Sequence, residues 1–103
     1  MANSEKQVAV IGAGVMGEAL IAGLLKYGIP ANAITISEKR VDRAREIFNR
    51  YQVPSADIAA NVAKSDLILL VVKPQDMEST LSEVRNAIGK GSLIVSFVAG
   101  KQI

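Results

Sequence analysis

Gln7-Val8-Ala9-Val10-Ile11-Gly12-Ala13-Gly14-Val15-Met16-Gly17 is the stretch that decides the fold of this chain. The first five residues are a β-rich apolar run that stops at a glycine cluster, as a parallel strand buried on both faces does. Beyond the cluster, Met16, Ala19, Leu20, Leu24 and Tyr27 recur at helical spacing, with Gly23 in the same stripe. The stretch Val15 to Tyr27 therefore predicts a helix, stopped by Gly28 with Pro30 beyond. A strand running into a helix through glycines is the first half of a βαβ unit.

The alternation continues outward. Ala33 to Ser37 reads as a second strand, and Val41, Ala44, Phe48 and Tyr51 mark the predicted inner face of a second helix. A short segment, Val53-Pro54-Ser55, and a weak helix around Ala59 to Ala63 follow. Leu67 to Val72 is apolar without alternation, which predicts a strand covered on both faces. Met77, Leu81, Val84 and Ile88 then carry a further helix, closed by Gly89 and Gly91, and Leu93 to Phe97 is a last strand. Repeated strand and helix predict an α/β fold, a doubly wound parallel sheet in one domain spanning residues 1–103. Right-handed crossovers narrow the strand order to 3-2-1-4-5, with the strands ending at Gly12 and Val72 side by side at the switch point. Ligands of such sheets bind there, at the carboxyl ends.

Composition bounds the chemistry. With 103 residues, half of them hydrophobic, the chain suffices for one core and not two. It has no cysteine and no histidine, so disulfides, thiolate nucleophiles, zinc-cysteine sites and imidazole bases are excluded and no metal site is expected. Any proton transfer would fall to a lysine, carboxylate, hydroxyl or water, and no catalytic residue is singled out. Twelve basic residues against ten acidic leave a net charge of +2, which is no nucleic-acid signature. The run from Leu67 to Val72 is far short of the ~20 residues that span a bilayer, and the start carries no apolar export signal. A cytoplasmic protein is expected.

Gly12-Ala13-Gly14-Val15-Met16-Gly17 fits G-x-G-x-x-G between a predicted strand and a predicted helix, the context that marks a dinucleotide-binding turn of the Rossmann type. Gly12 permits the tight turn, Gly14 lets a pyrophosphate approach the backbone, and Gly17 lets helix pack on strand. A merely structural glycine turn is the competing reading, and the flanking elements tell against it. The helix field supplies only about 0.3–1 kcal/mol to an anion, whereas micromolar affinity needs about 8 kcal/mol, so Ile11 to Gly17 require help. Val72-Lys73-Pro74-Gln75 and Phe97-Val98-Ala99-Gly100 follow the fourth and fifth strands and open onto the same edge. Candidate cofactor contacts there are Val72, Lys73 and Pro74, then Val98, Ala99 and Gly100, with Lys73 facing a phosphate or ribose or simply solvated.

The end of the second strand bears on cofactor choice. Glu38 lies 21 residues after Gly17, where a carboxylate takes the ribose hydroxyls of NAD. Lys39 and Arg40 follow at once and suit the 2′-phosphate of NADP. The two signals conflict, and all three residues could instead decorate the start of an exposed helix.

Ile11-Gly12-Ala13-Gly14 with Met16-Gly17, the helix Ala19-Leu20-Ile21-Ala22-Gly23-Leu24-Leu25, the loop Val72-Lys73-Pro74-Gln75, and Ser96 with Ala99-Gly100 together resemble pyrroline-5-carboxylate reductase. The V-K-P-Q loop in register with the later S-x-x-A-G is the most specific part, and the resemblance runs along essentially the whole chain. It implies an NADP(H) cofactor, with NAD(H) as the alternative, and reduction of 1-pyrroline-5-carboxylate to proline. It also implies an all-helical C-terminal domain that forms a homo-oligomer and supplies most substrate contacts. The chain stops before such a domain and is therefore expected to bind cofactor without turnover. Val15 stands where the family often has asparagine or glutamine, and Lys101 where an apolar residue is usual. Ile58 falls near a family asparagine that touches the nicotinamide-side ribose, for which Asn61 is a candidate substitute.

Two other readings compete. One is the cofactor domain of another NAD(P) oxidoreductase, such as a β-hydroxyacid dehydrogenase or an F420-linked NADP reductase, against which V-K-P-Q argues. The other is a non-enzymatic dinucleotide-sensing module, which fold alone does not exclude. On the first helix, Ile21 and Leu25 lie off the Met16-Leu20-Leu24 stripe, which predicts an exposed apolar patch there.

Overall fold

A computed structural model describes residues 6–89 and 91–98. In chain order it runs β1 (Val8–Ile11), α1 (Val15–Tyr27), a 3-10 turn (Ala31–Ala33), β2 (Ile34–Ser37), α2 (Val41–Tyr51), α3 (Ile58–Ala63), β3 (Leu67–Val72), α4 (Pro74–Ala87) and β4 (Leu93–Val98). The strands form one parallel sheet in the order β2-β1-β3-β4. The chain order therefore reverses between β1 and β3, whose carboxyl ends lie side by side as expected.

The segment expected to be the third strand in chain order, at the β2 edge, contributes only a single parallel bridge, Ile36 to Ser55, so the described sheet has four strands and not the five expected. Ile36 N–H donates to the Pro54 carbonyl and Ala56 N–H donates to the Ile36 carbonyl, both at 2.9 Å. The predicted neighbour is thus in place, but Pro54 has no N–H to extend the ladder.

Each strand is covered on both faces, which is why its sequence shows no alternation. Val8, Val10, Leu69 and Val71 point to one side and pack with Ile21 of α1 and Ile47 of α2. Ala9, Ile11, Ile68 and Leu70 point to the other and meet Val62 of α3 and Val84 of α4. Helix α1 ends at Gly28, which adopts φ 119° and donates its N–H to the Leu24 and Leu25 carbonyls.

The helix faces differ from the sequence reading in two places. Ile21 is fully buried rather than exposed, and Leu25 packs against the core, so the apolar patch predicted around them does not exist as such. Tyr27 and Ala19, assigned inward, are exposed instead. The cause is Gly17, which brings α1 so close to the sheet that Gly17 and Ile21, four residues apart, face it. On α2 the buried residue is Ile47, while Val41 and Phe48 are exposed.

Candidate functional site

The turn between β1 and α1 has its shape because two of its glycines lie against backbone. Gly12 has φ +98°, and a β-carbon there would collide with the Val71 carbonyl of the neighbouring strand. A β-carbon on Gly17 would collide with the Gly12 carbonyl, so this glycine seats helix on strand. Gly14 is different in kind, because a β-carbon there would meet nothing within 4 Å. It would project into open space, which is the room a ligand's phosphate requires. Among the described residues the backbone N–H groups of Gly14, Val15, Met16 and Gly17 have no protein acceptor. They are the orphan donors of the helix start and can hold an anion.

A cleft of about 1130 Å³ opens over this turn. Ile11, Gly12, Ala13, Gly14, Val15 and Met16 form its floor, Glu38, Lys39 and Arg40 one end, and Val72 with Lys73 the far wall. Two expected residues do not line it. Gly17 lies beneath the turn, and Pro74 sits at the first position of α4, where its missing N–H costs nothing. Val98 pairs with Val72 at the end of β4, while Ala99, Gly100 and Lys101 lie outside the described residues.

Sequence reasoning found only Ile58 of the wall that α3 and α4 form. Asp57 and Ile58 at the start of α3, and Asp76, Thr80 and Glu83 along α4, line the cleft. A groove between α3 and α4 leaves no motif, since its members come from two helices linked only by packing. Asn61, the candidate ribose contact, is fully buried instead. Its side-chain N–H groups donate to the Thr35 carbonyl and to Ser37 Oγ, both at 3.0 Å, and its backbone carbonyl accepts from Ser65 Oγ. It ties α3 to β2 and cannot reach a ligand.

Glu38 neither faces outward nor stands free. One carboxylate oxygen accepts from Ala13 N–H at 2.8 Å, and the other accepts from the Arg40 backbone N–H at 3.0 Å and from Arg40 Nε at 2.9 Å. The Glu38 side chain is 7% exposed and that of Arg40 63%. Burial pushes the carboxyl pKa up, but the bonds from Arg40 and from Ala13 N–H outweigh it and bring the value down to about 2. Glu38 is thus a fixed negative charge bracing the glycine turn, and Lys39 and Arg40 are the exposed cations beside it.

A second support comes from α2. Arg43 donates from Nε to the Ala13 carbonyl at 2.6 Å and from a terminal nitrogen to the Gly14 carbonyl at 3.2 Å. It also pairs with Glu18 at 2.7 Å and Glu46 at 3.0 Å. Glu18 further accepts from Tyr51 Oη at 2.6 Å and from Arg50. The bonds from Tyr51, Arg43 and Arg50 hold the Glu18 carboxyl at about 2, and Glu18 in turn raises the Tyr51 phenol above its ordinary value.

Comparison with known proteins gives this architecture a family. The family model described as "NADP oxidoreductase coenzyme F420-dependent" matches residues 7–100. Pyrroline-5-carboxylate reductase of Escherichia coli (strain K12) is 34% identical over 98 residues, covering 93% of this chain and 36% of that protein. A pyrroline-5-carboxylate reductase structure from Coxiella burnetii superposes with TM-score 0.85 at 21% identity, over 94% of this chain and 37% of that one. An imine reductase variant from Myxococcus stipitatus, in complex with NAD+, superposes with TM-score 0.75 at 30% identity, over 94% of this chain and 33% of that one. The chain spans about a third of the length of the curated relatives it matches. The F420 description and the pyrroline-5-carboxylate reductase relatives fall on the same residues, so the Val72–Gln75 loop does not separate those two readings at the family level. The fold is the Rossmann-type fold of NAD(P)-dependent oxidoreductases, and the chain belongs to the NADP oxidoreductase coenzyme F420-dependent family, as a domain similar to the N-terminal domain of pyrroline-5-carboxylate reductases.

Proposed function

We propose that these residues are the NADP(H)-binding part of a pyrroline-5-carboxylate reductase, which reduces 1-pyrroline-5-carboxylate to proline in the cytoplasm. The observation that carries the reading is the open face of Gly14 above four unpartnered N–H groups, at the point where β1 and β3 lie side by side. That is a cradle for a pyrophosphate, and the turn from Ile11 to Gly17 builds it. The bound dinucleotide supplies a hydride; the residues of this chain bind and orient it.

A preference for NADP is supported by the state of Glu38. Its oxygens are already occupied by Ala13 and Arg40, so ribose hydroxyls would have to displace Arg40 to reach them. Arg40 and Lys39 are exposed, and if the Arg40 guanidinium swings away Glu38 still accepts from the Ala13 and Arg40 backbone N–H groups. Turning Arg40 onto a 2′-phosphate exchanges one charge-assisted pair for bonds to a dianion. Val72 and Lys73, with Val98, Ala99 and Gly100, are assigned to the nicotinamide half, and Pro74 fixes the turn into α4. NAD(H) is the alternative, favoured by the placement of Glu38 at the end of β2 and by the NAD+ complex of the similar imine reductase.

Calorimetric titration with NADPH and NADH in parallel tests the reading, repeated with Lys39 and Arg40 both changed to alanine. Tighter binding of NADPH that collapses in the double variant is the expected result. Tighter NADH binding would give the ribose to Glu38, and binding of neither would refute the proposal.

A further inference from the structure

The N–H donors of a glycine turn bind an anion only if they point at it, and among the described residues none of these four is held by an acceptor. The Gly14 carbonyl accepts the first bond of α1, from Glu18 N–H at 2.9 Å, so the helix itself orients the Val15 N–H; the Gly14 N–H needs another hold. In a trans peptide the N–H points opposite to the preceding C=O. The Ala13 carbonyl belongs to the peptide whose N–H is that of Gly14, and the Gly14 carbonyl to the peptide whose N–H is that of Val15. Both carbonyls are bound by one guanidinium, that of Arg43, at 2.6 and 3.2 Å. Arg43 is not among the residues lining the cleft, so it holds the turn from behind.

We propose that Arg43 is a positioning residue for dinucleotide binding: by drawing the Ala13 carbonyl backward it turns the Gly14 N–H toward the pyrophosphate, and through the Gly14 carbonyl it reinforces the helix bond that orients the Val15 N–H. This rests on the functional reading above. The guanidinium suits the task because its donors form a rigid fork that spans two successive carbonyls, whereas a lysine ammonium has rotating donors on one nitrogen and fixes neither direction. It is itself fixed, since its side chain is only 16% exposed and pairs with Glu18 of α1 and Glu46 of its own helix. Glu38 braces the same peptide run through Ala13 N–H, so residue 13 is held at both its donor and its acceptor. The turn is therefore shaped before ligand arrives, and ordering it adds no cost to binding.

The test separates aiming from general stability by comparing ligands with and without a pyrophosphate. Whichever dinucleotide the unaltered chain binds more tightly is titrated into Arg43→Met and Arg43→Lys, alongside the matching fragment. That fragment is adenosine 2′-monophosphate for NADPH or adenosine for NADH. Losing the fork should weaken the dinucleotide by about tenfold or more in Arg43→Met. The fragment should stay within about twofold, because it does not touch the turn, and Arg43→Lys should recover only part of the loss. Equal weakening of dinucleotide and fragment, or unchanged binding of both, would overturn the assignment. Should Arg43→Met fail to fold, Arg43→Lys decides alone: dinucleotide affinity equal to that of the unaltered chain sinks the idea, and a selective loss sustains it. An unaltered chain that binds no dinucleotide would remove the functional reading first, and this assignment with it.

Discussion

Gly12→Ala and Gly14→Ala are the same chemical change two residues apart, and the structure predicts opposite consequences. At residue 12 the backbone sits at φ +98°, which for a residue bearing a β-carbon costs about 1–3 kcal/mol. The new methyl also runs into the Val71 carbonyl, backbone against backbone at the centre of the sheet, adding about 1–3 kcal/mol of overpacking. A total near 2–6 kcal/mol stands against about 5–15 kcal/mol for a whole domain. For a domain of this size each kcal/mol moves Tm by about 4–8 °C, so Gly12→Ala should melt at least ~8 °C lower, with loss of the fold at the upper end. At residue 14, φ is −76° and the methyl meets nothing, so the cost is that of a poorer helix cap, about 1 kcal/mol or less. That methyl nevertheless occupies the space proposed for the pyrophosphate, so affinity for NADPH should fall tenfold or more, a loss of about 1.4 kcal/mol or greater. Thermal unfolding followed by circular dichroism, with calorimetric titration of both variants, gives the two readouts. A Gly14→Ala variant that binds as tightly as the unaltered chain would refute the cradle. A Gly12→Ala variant of undiminished stability would refute the collision.

Two further outcomes concern stability alone. Glu18 and Glu38 are held near pKa 2 in the fold against an ordinary 4.5, so the unfolded chain takes up protons first as pH falls. The stability they contribute is complete above about pH 4.5 and drains away toward pH 2; urea midpoints across that window should drop, and Glu18→Gln with Glu38→Gln should flatten the drop. An unchanged slope in the double variant would contradict the assigned ion pairs. Ile21→Ala should cost about 2–5 kcal/mol as a core cavity while Ala22→Ser, on the exposed face, stays within about 0.5 kcal/mol; comparable losses would put the α1 face wrong.

Much of the fold was legible because its signals are local. The strand-glycine-helix sequence at Val8 to Gly17 needs no partner to be read, and neither does the unbroken apolar run Leu67 to Val72. Helix faces were less legible, since α1 is apolar nearly all round and offers no unique stripe. There the choice between Ile21 and Tyr27 was made by tertiary approach, through Gly17, and not by periodicity. Pro54 shows the converse: the expected strand order put a strand beside β2, and local chemistry leaves only one bridge there, so the sheet has four strands and not five.

The site divides along the same line. Residues that line the cleft through their own loop, from Ile11 to Met16 and from Glu38 to Arg40, were readable from spacing. Asp57, Asp76, Thr80 and Glu83 were not, because the groove they share exists only once α3 packs on α4, and Ile58 was reached only through the family resemblance. Glu38 was placed correctly yet its orientation was open, and what closed it is a donor 25 residues earlier in the chain, Ala13 N–H. Arg43 was invisible for a stronger reason: it binds carbonyl oxygens, which every residue has, so no side-chain pattern in the turn announces it. The two residues that shape the turn therefore both come from the segment after β2, five positions apart. A segment usually read only for its choice between ribose and phosphate also sets the geometry of the turn. A change made there to switch cofactor preference should accordingly alter affinity for both dinucleotides whenever it disturbs Glu38 or Arg43, and alter their ratio alone when it is confined to Lys39.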